Sequence, residues 1–506
     1  MSDTTLDPTF YRTAREAAEA PREGLAYVVV FDREGRLPDA MSVIDVDPSS
    51  DSYGQVVGWT DVGTGEELHH FGWNACSSAL VHEGHDMEGL ERRFLLVPGL
   101  RSSNIYVLDI KPDPRQPTLV KTIDANELSA KAGYSRPHTL HCGPNGVFMT
   151  CLGGPTDDPE GQSGIALLDH DSFEVLRAWE TDHGPQKFSY DAWWHLNRNV
   201  LVSSEWGSPS MIEDGVVPEL LLGQKYGHAL HFWDLAEGKH VQRIDLGEVP
   251  KVQRVPELLL GQKYGHALHF WDLAEGKHVQ RIDLGAEHQM ALEVRPSHDP
   301  DADWGFVGVV VSTEDLSGSV WRWLHDGSKW KVEKVITIPA EPADPDELPP
   351  LLKGFGAVPP IITDIDLSVD DKFLYVSCWA TGELKQYDVS DPAHPVQAGS
   401  VKLGGITRRA AHPAAPDTPL SGGPQMVEVS RDGRSVYFTN SLYGAWDDQF
   451  YPGGVGAWMV RLDADPGGGI RIDERFFPHG EDFRGRRAHQ IRLQGGDASS
   501  DSYCYR

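Results

Sequence analysis

Five cysteines in 506 residues (Cys76, Cys142, Cys151, Cys378 and Cys504) are too few, and too uneven in number, for a dense disulfide framework. Nor is there an apolar run near the ~20 residues that a membrane-spanning helix needs. The N-terminal stretch MSDTTLDPTFYRTAREAAEAPREG lacks the apolar core of a secretory signal. Together these absences point to a soluble, cytoplasmic protein. Basic residues are also scarce, 45 Lys and Arg against 76 Asp and Glu, for a formal charge of −31. Nucleic acids and anionic membrane surfaces repel such a chain and are excluded as partners. No GxSxG, P-loop or dinucleotide-binding fingerprint occurs in a βαβ setting, which argues against hydrolase, NTPase and dehydrogenase chemistry.

What is present is glycine (52), proline (35) and a good supply of Trp, Tyr and Phe (15, 15 and 17). These suit tight turns between short strands around a large core. FYRTAREAAEA (10–20) has helix-forming composition and predicts one short helix in an N-terminal segment, residues 1–25. From residue 26 onward a unit recurs: a β-rich run, a turn, a second run and a third. It begins at 26–57, 92–123, 145–180, 199–206, 304–338, 372–401 and 434–476. A unit this small cannot bury both faces of its sheet alone, and radial stacking around an axis solves that problem. The fold expected is all-β, a seven-bladed propeller forming one domain over 26–506, with a pair of long β-sandwiches as the alternative. The Pro-rich stretches 339–360 and 408–424 fall outside the period and read as surface loops.

One segment breaks the pattern differently. VPELLLGQKYGHALHFWDLAEGKHVQRIDLG occupies 217–247 and recurs letter for letter at 255–285. Structural repeats drift, so identity marks a duplication that a closed ring cannot easily absorb. One copy is expected in the fourth blade, and the other outside it as poorly ordered or helical material.

The candidate chemistry is histidine-based. In EELHHFGWNACSS (66–78), His69 and His70 are adjacent. A regular strand points such neighbours to opposite faces, and a helix sets them about 100° apart. Irregular backbone, favoured here by Gly72 and Asn74, would let both face one ion. RPHTLHCGPNG (136–146) places His138 and His141 on a loop before the third blade. Loops of this kind gather at one mouth of a propeller, where three or four imidazoles would suit Cu or Zn. Ring closure brings the chain ends together, so His489 in RRAHQIRLQGGD can join them. HEGH (82–85) reads as a solvated hairpin, and the histidines of YGHALHFWD as strand residues. Cys76 is either a buried inert residue or a thiol activated by its surroundings. Trp73 and Asn74 read as structural neighbours of the site.

Several motifs, in order, carry a resemblance: LHHFGWNACSS, RPHTLHC, SYDAWWHLNRNVLVSSEWGSP, YGHALHFWDL, ITDIDLSVDDKFLYVSCWATGELKQYDVSDP, GGPQM, SLYGAWDDQFYP and AHQIRLQGGDASSD. The sequence resembles the selenium-binding protein family, whose members include methanethiol oxidases, over almost the whole chain from about residue 20. The resemblance implies a propeller that uses copper to oxidise methanethiol with O2 and water to formaldehyde, H2O2 and H2S. By motif, His69, His70, His138, His141 and His489 correspond to the family's metal-associated histidines, and Cys76 to the cysteine proposed to bind selenium. Family members often carry CSSC, but position 79 here is Ala, which puts dithiol chemistry at Cys76 in doubt. Some members are exported. The competing expectation is a selenium or metal carrier, or a scaffold, without catalysis.

Overall fold

A computed structural model describes residues 7–77, 89–143, 146–183, 186–216, 229–234, 236–245, 267–272, 277–283, 287–327 and 330–500. Seven sheets, antiparallel apart from one short parallel pairing in blade 4, stand around a common axis, each except blade 1 with its first strand innermost. Blade 2 runs Gly72–Trp73, Phe94–Pro98, Ile105–Asp109 and Thr118–Ile123. Blade 3 runs Ser135–Gly143, Gly146–Gly153, Ile165–Leu168 and Val175–Ala178. Blades 5, 6 and 7 have innermost strands His288–Pro296, Ile362–Leu367 and Val427–Val429. Blade 1 is built from both ends of the chain. Leu25–Phe31 pairs on one side with Pro38–Asp45 and on the other with the C-terminal strand Arg487–Leu493, which is the innermost. The ring is closed by this pairing, which leaves no open edge at the seam.

The recurring sequence units capture the outer three strands of each blade and miss the innermost one. The reason is physical. Inner strands are buried along almost their whole length, yet carry polar residues toward the axis, so they lack hydrophobic alternation. Arg295, Asp364, Asp366, Glu428 and Arg492 sit on these strands and are buried. Arg295 bridges Glu293 at 3.1 Å, Asp364 at 3.3 Å and Asp191 at 3.4 Å.

A short helix, Ala14–Glu19, lies in the N-terminal segment, capped by the Thr13 side chain on Glu16 N–H. No described helix is long and apolar enough to cross a membrane. In blade 4, Ala192–His195 and Val200–Ser204 are continued by Ala229–Asp234 and Lys239–Asp245, both from the first copy of the duplicated segment. The described part of the second copy is a hairpin, Ala267–Asp272 with Lys277–Asp283, and not helix. It meets the blade through a two-residue parallel pairing of Ala229 with Ala267 and Leu230 with Leu268.

The stretch 339–360 is more than a surface loop. Glu341–Pro342 pairs with Ala357–Val358, and between them Leu348 and Leu352 are buried in the core. Its apolar residues cap the same end of the ring as the histidines described next.

Candidate functional site

Irregular backbone carries His69 and His70. They lie between the bridge of Leu68 with Gly99 and the strand Gly72–Trp73. The segment presses against the inner strand of blade 3. A Cβ on Gly72 would stand 2.6 Å from the Leu140 carbonyl oxygen, so only glycine allows this approach. His138 and His141 lie in that strand, Ser135–Gly143, and not on a loop as the sequence suggests. The strand backbone fixes them in different directions. His138 joins the first pair, with ring centroids 5.0 Å from His69 and 4.2 Å from His70. His141 turns to blade 4, 3.5 Å from Asp191 and against Trp193. His489, on the closing strand, sits with its ring 3.3 Å from that of His69.

Four imidazoles therefore converge from residues 69 to 489, all buried. Ligand atoms of His69, His70 and His489 lie within 4.8 Å of one another, and His138 Nε2 is 3.0 Å from His69 Nδ1. Each ring has one nitrogen tied down. His69 Nε2 donates to the Leu442 carbonyl (2.9 Å) and His489 Nδ1 to the Ser441 carbonyl (2.7 Å). His138 Nδ1 bonds the Thr139 hydroxyl at 2.9 Å. His70 Nδ1 faces Gln490 and Thr139 at 3.4 and 3.5 Å. The opposite nitrogens face inward, and among the described residues His70 Nε2 and His489 Nε2 have no partner. Buried polar atoms are rarely left so, and fixing one ring nitrogen to orient the other is how proteins prepare imidazole ligands. The donor set fits a borderline cation such as copper or zinc.

Electrostatics agree. Burial pushes His138 and His489 down to about 3. Burial, and then the neighbouring imidazoles, push His69 and His70 well below the ordinary value. At neutral pH all four are uncharged, the form that binds a metal. His141 is lowered chiefly by burial, with Asp191 working the other way.

The turn Ser441–Tyr443 before the helix Gly444–Phe450 supplies both anchoring carbonyls. Asp447 holds it, accepting from the Ser441 hydroxyl at 2.6 Å and Leu442 N–H at 2.9 Å. Tyr443 stacks on His69 at 4.1 Å and places its hydroxyl 3.0 Å from His138 Nε2. Tyr190 packs against His138 at 4.7 Å, and its hydroxyl donates to Glu293 at 3.3 Å. Sequence reasoning gave neither tyrosine a role, although both lie in motifs that carry the resemblance, SYDAWW and SLYGAWDD.

The expectation of a free Cys76 thiol is corrected. Cys76 is bonded to Cys142, 66 positions away, with Cα atoms 5.9 Å apart. In this state no thiol or thiolate is available there for catalysis or for selenium. The free cysteines among the described residues, Cys151 and Cys378, are buried, and burial raises both. HEGH (82–85) falls outside the described residues. Of the YGHALHFWD histidines, His231 lies in the third strand of blade 4. It bonds His240 at 2.9 Å and Glu205 at 3.1 Å, away from the four-imidazole cluster.

Comparison with known proteins matches residues 4–254 and 252–504 to the model of the 56 kDa selenium binding protein (SBP56) family. The two matches meet between the copies of the duplicated segment. A methanethiol oxidase of Xenopus laevis is 35% identical over 516 residues, covering 97% of each chain. Selenium-binding protein 2 of Mus musculus is 34% identical, again over 97% of both. The X-ray structure of a hypothetical selenium-binding protein from Sulfolobus tokodaii superposes with a TM-score of 0.87 at 49% identity, over 99% of this chain and 100% of that one.

Proposed function

The chain belongs to the 56 kDa selenium-binding protein family, and from that premise we propose that it is a copper-dependent thiol oxidase, converting methanethiol, O2 and water to formaldehyde, H2O2 and H2S. The observation that carries this reading is the convergence of His69, His70, His138 and His489 with one nitrogen of each ring facing inward. Copper bound there supplies a soft centre for a thiolate sulfur and a route for its electrons to O2. The protein's own groups do the rest. Leu442 and Ser441 carbonyls keep His69 and His489 in the tautomers that present Nδ1 and Nε2 inward. The Tyr443 hydroxyl, beside His138 Nε2, holds a proton at the edge of the cluster. Tyr190 links that edge to the Glu293 carboxyl, which burial and the nearby Asp191 charge raise well above the usual range, so that it retains its proton. Tyr190, Tyr443 and Trp206 wall the histidines from bulk water.

Metal analysis of the purified protein, followed by methanethiol consumption with H2S and H2O2 detection, tests the reading. Bound copper with turnover supports it. The copies His69→Ala and His138→Ala are expected to lose copper, and full copper content in both would refute the assignment. Selenium or copper retained without turnover would favour a carrier instead, the reading suggested by the name of the mouse relative.

A further inference from the structure

An apolar cavity of about 110 Å³ lies in the core cluster that also holds Tyr190 and Tyr443, the rings packed on the histidines. Val310 of blade 5, Leu352 of the 339–360 stretch and Trp446 of the helix Gly444–Phe450 line it. Phe355, 51% exposed, forms a wall that faces solvent. Three more lining residues, Met290, Leu316 and Ile361, have φ of 63°, 61° and 49°. Side chains with a Cβ, and Ile above all, take up that left-handed region at a cost, and such strain gathers at functional sites.

Packed aromatic rings separate the cavity from the metal-binding cluster. Trp446 packs on Trp206 at 5.2 Å. Trp206 in turn packs on Tyr443 and Tyr190, each at 5.1 Å. These tyrosines touch His69 and His138. Trp206 and Trp446 are buried, and among the described residues neither indole N–H has a hydrogen-bond partner. A buried indole N–H without an acceptor is unusual, and sulfur is a weak acceptor that it can serve. Apolar cavities of ~150 Å³ take up benzene or xenon, so this one has room for a smaller molecule.

We propose that this cavity is the entry chamber and selectivity filter for a short-chain alkanethiol, whose alkyl group rests among Val310, Leu352 and Trp446 before the sulfur passes Trp206 to the histidines. The proposal rests on the thiol-oxidase reading above. It makes the 339–360 stretch, through Leu352, a determinant of substrate length.

Two variants and one probe test it. Val310→Phe fills the cavity and Leu352→Ala enlarges it, and neither residue touches the histidine cluster. Crystals of the copper-loaded protein under xenon pressure are expected to show xenon in the wild-type cavity and none in Val310→Phe. With copper content unchanged, Val310→Phe should lose at least tenfold in kcat/KM for methanethiol. Leu352→Ala should shift selectivity toward longer thiols, by about fourfold for each methylene newly accommodated. Xenon exclusion by Val310→Phe with undiminished kcat/KM would overturn the proposal. Should Val310→Phe not fold, Leu352→Ala decides: an unchanged butanethiol-to-methanethiol ratio overturns it. A wild-type protein that binds copper but oxidises no thiol overturns the oxidase reading itself, a result distinct from these.

Discussion

Acid should act on the metal-free protein through its buried imidazoles, and His489 allows that effect to be isolated. Its pKa is held at about 3 in the folded state by burial, against an ordinary value near 6.5. His69, His70 and His138 surround it, with the Ser441 carbonyl on Nδ1. The unfolded chain therefore takes up a proton at this position that the folded one refuses. Stability linked to His489 is fully present above pH 6.5 and is lost as pH falls from there toward 3. At pH 5 the loss is about 2 kcal/mol, a large part of a typical total of 5–15 kcal/mol. The whole protein's profile mixes this with opposing terms. Asp364 and Asp366, raised by burial to about 7 and about 6, favour the folded state as pH falls through those values toward the ordinary carboxylate range. The informative quantity is consequently a difference. In chelator-treated protein, His489→Gln should gain about 2 kcal/mol relative to wild type between pH 7 and pH 5, measured by guanidinium unfolding at each pH. A wild-type-minus-variant difference that stays constant within about 0.5 kcal/mol over that range would refute the argument that His489 is buried uncharged.

Two further outcomes are expected. Arg295→Met removes the cation that Asp191 shares with the Glu293 and Asp364 carboxyls and leaves the Asp191 charge buried without that counter-ion. It should cost about 3–5 kcal/mol in urea unfolding, and a loss below 1 kcal/mol would show that these acids are not held by Arg295. Deleting residues 248–285 leaves the first copy to complete blade 4. The shortened chain should keep its far-ultraviolet circular dichroism and its copper content, and an insoluble product would show that the second copy is needed for folding.

The outer strands were legible in the sequence because β-branched runs between Gly and Pro turns need only local pattern. VVVF in blade 1 and LYVSC in blade 6 are examples. The inner strands were not, since Arg295, Asp364 and Arg492 make them read as polar segments while they are almost wholly buried. At the site, His69 and His70 could be placed on irregular backbone from Gly72 and Asn74. His138 was preferred as a ligand, but His141 stayed open as ligand or orienter, because Pro and Gly suggested a loop where a strand fixes each ring separately. The Cys76–Cys142 bond was out of reach for another reason. Five cysteines allow many pairings, and only the packing of the 69–76 segment on blade 3 brings these two together. Tyr190 and Tyr443 act through stacking and hydroxyl contacts across the ring, which no local spacing encodes.

Joining both termini in blade 1 has a bearing on biosynthesis. His489 comes long after His69, His70 and His138 in the chain, and it reaches the other imidazoles only when Arg487–Leu493 docks beside Leu25–Phe31. Until that strand has been made, the nascent polypeptide holds an incomplete set of donors. Assembly of the four-imidazole cluster therefore waits for the closing strand, and a product terminated before that strand is left without its final nitrogen.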